Sequence, residues 1–162
     1  MKEVTFLDNN LEQLLYKKDT FTALQNIKGK VFRKYGNRIT KQFEAQEKKY
    51  FIKYHGPVGW REIFKNLFQI KTPVIGAQRE YEALNHLSKN DINCPQIKGF
   101  GKKGINPANS SSFIITEELY DTLSLEEFFL KNLHKNLSFN QKCKLIKACA
   151  SIVRQMHLSG LN

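Results

Sequence analysis

Apolar and polar positions divide the chain into two groups of strands with helices between them, followed by a helical last part. Residues 1–28 read as a short polar lead-in holding one helix, Leu11 to Tyr16. From Val31 the pattern alternates. Val31 to Tyr35, a turn at Gly36-Asn37, Ile39 to Ala45, a polar turn at Gln46 to Lys48, and Lys49 to His55 predict an antiparallel meander rich in β-branched and aromatic residues. A helix is predicted over Gly59 to Ile70, with Trp60, Ile63, Phe64, Leu67 and Ile70 at helical spacing and Arg61, Glu62, Lys65, Asn66 and Gln69 mostly opposite. Pro73 interrupts the chain before a second helix, Ile75 to Ser88. Two more strands are predicted at Gln96 to Phe100 and Ser112 to Leu119, separated by a loop rich in Gly, Lys and Asn. Leu123 to His157 is helical again, and Ser124-x-x-Glu127 has the form of a capping box.

Strand periodicity places Phe51 and Lys53 on one face of the third strand, with Tyr50, Ile52 and Tyr54 on the other. A mid-strand ammonium among aromatics needs an anion, although a solvent-facing edge lysine would give the same pattern. The second helix supplies a partner. Ala77, Tyr81, Leu84 and Leu87 form its apolar stripe, and Glu80 falls inside that stripe while Glu82 points away. A lysine on the third strand paired with a glutamate on the next principal helix positions the α- and β-phosphates of ATP in kinases. With three strands, helices, two strands and helices in that order, the fold class is α+β. The expected architecture is a protein-kinase-like N-lobe, a five-stranded antiparallel sheet plus helices, with the first helices of a truncated C-lobe. The divisions are 1–28 (lead-in), 29–119 (N-lobe) and 120–162 (helices after the hinge).

Charge changes the picture most among the bulk properties. The chain carries 26 Lys plus Arg against 15 Asp plus Glu, a formal +11, which suits polyanionic partners without choosing among them. Helix-turn-helix, zinc-finger and RNP-like patterns are lacking and the aromatics fall on core-like stripes, so nucleic acid is not the expected partner. Cys94, Cys143 and Cys149 form no CxxC pair, and the four histidines show no metal-ligand spacing. No run approaches the ~18 apolar residues that span a bilayer. The first ten residues lack a signal-like apolar core, so the expected location is the cytoplasm.

Three stretches carry a closer resemblance: Tyr50-Phe51-Ile52-Lys53 with Val58-Gly59-Trp60-Arg61-Glu62-Ile63-Phe64-Lys65-Asn66-Leu67, Thr72-Pro73-Val74-Ile75-Gly76-Ala77-Gln78-Arg79-Glu80-Tyr81, and Ser112 to Leu119. In order and spacing they resemble the lipopolysaccharide core heptose(I) kinase family, from about Gly29 onward. The helix holding Gly59-Trp60 is an insertion particular to that family. The resemblance implies ATP-dependent phosphorylation of the inner-core heptose of lipopolysaccharide on the cytoplasmic side. It implies Lys53 as phosphate-binding lysine and Glu80 as its partner. Gly36, Arg38 and Thr40 would form the phosphate cover, and Glu117 and Leu119 would meet adenine through their backbones. Departures are Gly36 as the single glycine of the hairpin, Phe51 where a small residue is usual, and His55-Gly56-Pro57-Val58 where relatives carry a basic residue.

The resemblance also implies ATP and Mg²⁺ as cofactors, with the His-Arg-Asp loop and the metal ligands expected beyond Asn162, so the chain is expected to be inactive alone. The alternative is a non-catalytic nucleotide- or polyanion-binding module, with an anionic membrane surface or an acidic protein as partner. Leu145, Ile146, Cys149, Ile152, Val153 and Met156 make one apolar stripe on the last helix, from which self-association is expected.

Overall fold

A computed structural model describes residues 3–15, 19–69 and 76–161. Strands β1 (Glu3–Leu7), β2 (Lys30–Tyr35), β3 (Arg38–Ala45), β4 (Lys48–His55), β5 (Ile97–Lys103) and β6 (Ser111–Glu117) form one antiparallel sheet in the order β1-β5-β6-β4-β3-β2. Two-residue turns close the first two hairpins. Gly36 takes φ 54° at the first position of one, and Gln46 and Glu47 take φ 49° and 61° in the other, the primed geometries that match strand twist.

The sheet has six strands where the sequence led to five. Glu3–Leu7 pairs with β5, Phe6 opposite Phe100, as an edge strand too short for its alternation to stand out. The segment expected as a lead-in with one helix from Leu11 supplies two, α1 (Asn9–Leu14) and α2 (Thr20–Gln25). Their Leu11, Leu15, Phe21 and Leu24 cover the sheet face formed by Phe43, Tyr50, Ile52, Tyr54, Phe113 and Ile115. Burial of these side chains is the main stabilising contribution in this layer. Two close backbone approaches complete it. A Cβ on Gly101 would collide with the Phe113 ring, and one on Gly99 would lie 2.8 Å from Leu7.

Asp19 caps α2. Its carboxylate accepts from the Thr22 amide at 2.9 Å and from Lys103 Nζ at 3.2 Å. The bonds to Thr22 first, and then to Lys103, hold its pKa at about 2 instead of 3.8. A depressed carboxylate pKa adds stability above the unfolded value that is lost as pH falls through the folded one. Asp19→Asn keeps a capping oxygen and loses the charge. It is expected to melt below the wild type at pH 7, with the gap closing between pH 4 and 2. Thermal melts across that range check this, and a gap that does not narrow with acid would refute it.

Helix α3 (Trp60–Phe68) follows β4, and α4 (Gln78–Lys89) precedes β5. The expected helix ends at Tyr16, Ile70 and Ile75 and the break at Pro73 fall outside the described residues, as does the Leu67 side chain. Ile63 is buried, whereas Trp60, Phe64 and Phe68 are 50%, 53% and 87% exposed. Two compact units divide the chain: residues 1–84 with 95–118, and residues 85–94 with 119–162.

The second unit contains the end of α4, helix α5 (Leu125–Leu130), a 3₁₀ turn (Leu133–Asn136) and α6 (Phe139–Leu158). Ser124 and Glu127 form the expected capping box, and Ser138 with Gln141 forms a second one. His86 Nε2 donates to the Ser159 carbonyl at 2.7 Å, tying the end of α4 to the end of α6. No described side chain of α6 is fully buried, and Ile146, Ile152 and Val153 of its apolar stripe are exposed.

Candidate functional site

The face of the sheet opposite the N-terminal helices is the polar one. Alternation and register bring Thr40 opposite Lys53, and Arg38 opposite His55. They also set Lys53 opposite Ile114, and His55 opposite Ser112 on the other neighbour. Helix α4 lies on this face. Its approach is anchored where the Ala77 amide donates to the buried Ser112 Oγ at 2.9 Å. Gly76, at φ 137°, stands so close to that hydroxyl that a Cβ would lie 2.6 Å from it. Ala77, Tyr81 and Leu84 then pack on Phe100, Ile114 and Ile97, with the Tyr81 and Phe100 rings stacked at 4.1 Å.

One turn of this helix decides the chemistry. Glu80, adjacent to Tyr81, reaches Lys53, with Nζ and Oε1 2.5 Å apart. The pair is part-exposed, so it adds little to stability and acts by fixing the ammonium in place. Arg33, Tyr35, Arg38, Thr40, His55, Lys53 and Glu80 surround a cavity of about 260 Å³. Three fixed cations and a hydroxyl facing one carboxylate leave excess positive charge, which suits a phosphate chain. Burial first, then Arg38 and Lys53, pushes the His55 pKa below its ordinary value against Glu80, so its ring is neutral near pH 7. His55 Nδ1 is buried with no hydrogen-bond partner among the described residues.

The hairpin above this cavity is held from the side. The Asn37 carbonyl accepts from the Gly56 amide at 2.8 Å, and Asn37 Nδ2 donates to the Pro57 carbonyl at 2.5 Å. A neighbouring groove of about 300 Å³ is lined by Gly36, Arg38, Pro57 and Lys65, so α3 adjoins the hairpin. A larger cavity, about 490 Å³, lies apart from this cluster, among Phe6, Tyr81, Phe100 and Ile105. Size alone would favour it, but the convergent cations mark the smaller one.

Of the residues expected from sequence, Arg38, Thr40, Lys53 and Glu80 meet in one cavity. Gly36 sits at the hairpin tip in the adjoining groove. Glu117, at the end of β6, is engaged elsewhere. Its carboxylate meets Lys98 Nζ at 3.0 Å, which lowers its pKa, and its amide donates to the Gln96 carbonyl. Leu119 belongs to the second unit, where its carbonyl accepts from Thr122 Oγ1. Arg33 and His55 were missed, though alternation from Tyr35 and from Lys53 points to both. Among the described residues no three His, Cys, Asp or Glu side chains gather as a metal site.

A strand lysine clasped by a helix glutamate beneath an antiparallel hairpin is the small lobe of a kinase. The chain belongs to the lipopolysaccharide kinase (Kdo/WaaP) family, which it matches over residues 22–162. It is 40% identical over 145 residues to the lipopolysaccharide core heptose(I) kinase WaaP of Escherichia coli K12, covering 90% of this chain and 55% of that protein. To the heptose(I) kinase WaaP of Pseudomonas aeruginosa PAO1 it is 35% identical over 156 residues, 96% of this chain and 58% of that one. A solved structure of WaaP in complex with acyl carrier protein matches with a TM-score of 0.73 and 29% identity, over 97% of this chain and 57% of that one. The chain spans little more than half the length of these relatives.

Proposed function

We propose that these residues form the ATP-gripping lobe of a kinase that phosphorylates the first heptose of the lipopolysaccharide inner core. The observation that carries the reading is the 2.5 Å Lys53–Glu80 pair on the floor of the cationic cavity. Lys53 contacts the α- and β-phosphates, and Glu80 keeps its ammonium from turning to solvent. With a single glycine in the hairpin, backbone donors are fewer than in a glycine-rich loop, and Arg33, Arg38 and the Thr40 hydroxyl supply donors from side chains instead. The Glu117 backbone, at the end of β6, reads the adenine edge. Because the Glu117 amide already donates to Gln96, its carbonyl is the group left for this contact.

Mg²⁺, when bound with ATP, neutralises charge developing on the transferred phosphoryl group. The 162 residues include no His-Arg-Asp sequence, and they span little more than half the length of the kinases they match. In this reading the reaction consumes ATP and takes place at the cytoplasmic face of the inner membrane. The +11 charge also fits an acidic protein partner, such as the acyl carrier protein bound to the structural relative.

Calorimetric titration of this chain with ATP, with and without Mg²⁺, tests the grip. Saturable binding is expected, and its absence would overturn the reading. Transfer of labelled γ-phosphate to a core ending in unphosphorylated heptose, by a protein that includes the His-Arg-Asp loop, tests the acceptor.

A further inference from the structure

Helix α3 presents two dissimilar sides. Ile63 is buried at 5% exposure, while Trp60, Phe64 and Phe68, spaced four residues apart, form a ridge open to solvent. The ridge runs about 12 Å along the helix at 1.5 Å per residue. The Trp60 and Phe64 rings stack at 5.8 Å, which makes them one continuous apolar surface. Arg61 and Lys65 follow Trp60 and Phe64 in the helix and place positive charge along its flank. None of the three cavities described above is lined by Trp60, Phe64 or Phe68.

We propose that α3 is a membrane-docking helix that lies in the headgroup region of an anionic bilayer. Its aromatic ridge would enter the acyl boundary while Arg61 and Lys65 meet lipid phosphates. An aromatic face bordered by cations is the pattern of an interfacial helix. The chain's charge of +11 complements an anionic leaflet. A ridge whose aromatic rings line none of these cavities suits a fluid surface better than a shaped protein partner. The proposal rests on the kinase reading in one respect: an acceptor anchored in a lipid obliges the enzyme to work at the bilayer. The groove lined by Gly36, Arg38 and Lys65 sets α3 beside the hairpin over the phosphate cavity. Docking through α3 therefore brings the nucleotide grip to the membrane surface.

Trp60 is the only tryptophan in the chain, so its emission reports on this helix alone. Phosphatidylglycerol vesicles are expected to shift that emission to shorter wavelength, and brominated acyl chains to quench it. Phosphatidylcholine vesicles should do so at least tenfold more weakly. Added salt should weaken the anionic binding. Phe64→Ser with Phe68→Ser should reduce vesicle binding at least tenfold while leaving the affinity for ATP unchanged. Unchanged Trp60 emission with phosphatidylglycerol would overturn the proposal. So would equal shifts with both lipids, or a shift given by acyl carrier protein and not by vesicles. The ATP titration is separate: its failure with vesicle binding intact would remove the kinase reading and leave the docking helix standing.

Discussion

Replacing Lys53 by alanine is expected to weaken ATP binding by about 10- to 100-fold, the loss that follows removal of one charge-assisted hydrogen bond. The fold should be almost unaffected. Lys53 is part-exposed, and its pair with Glu80 is of the kind whose net contribution to stability is about 0–1 kcal/mol. Glu80→Gln should weaken binding less, by about tenfold, because a neutral amide holds the ammonium without setting its position firmly. Lys53→Arg should not restore affinity, since a planar guanidinium cannot occupy the position of the ammonium beside Glu80. Calorimetric dissociation constants and urea midpoints for each variant separate the two effects. ATP affinity unchanged in Lys53→Ala, or lost only together with the urea midpoint, would remove the pair from the nucleotide site.

The second large effect concerns stability. Phe21→Ala should destabilise the protein by about 3–5 kcal/mol, the usual cost of emptying a buried aromatic position. Phe21 is 4% exposed and meets the Phe113 ring edge-on at 5.2 Å, with an interplanar angle of 66°. Phe113 itself is fully buried at the centre of the sheet. The loss is large beside a typical domain stability of about 5–15 kcal/mol. Urea unfolding checks it, and a loss below about 1 kcal/mol would show that the α2 layer is dispensable.

The central strands were legible because they alternate. Tyr50, Ile52 and Tyr54 are buried on one side while Phe51, Lys53 and His55 face the other, as period two requires. The Lys53–Glu80 pair was legible because each residue is a charge on a face that should be apolar or covered. What escaped notice has physical reasons. Glu3–Leu7 has five residues and gains its structure from pairing with β5, far along the chain. Helix α2, six residues long, is too short to show a helical stripe and is held by tertiary packing, whereas α1 overlaps the helix expected from Leu11. The exposure of Trp60, Phe64 and Phe68 could not be read either, because a periodic stripe gives the width of an apolar face and not its covering.

The strand order bears on how the protein is made. A ribosome releases β2, β3 and β4 as one contiguous meander, but the inner neighbour of β4 is β6, which begins at Ser111. At roughly 5–20 residues per second, synthesis of the intervening segment takes on the order of 3–10 seconds. During that interval the inner edge of β4 has no strand to pair with. The N-terminal strand waits as well, since its neighbour among the described residues, β5, emerges just before β6. The nascent chain thus carries two unmatched strand edges for seconds, a natural substrate for holding chaperones. Slower translation through the Gly/Lys/Asn-rich segment before Ser111 would lengthen that exposure.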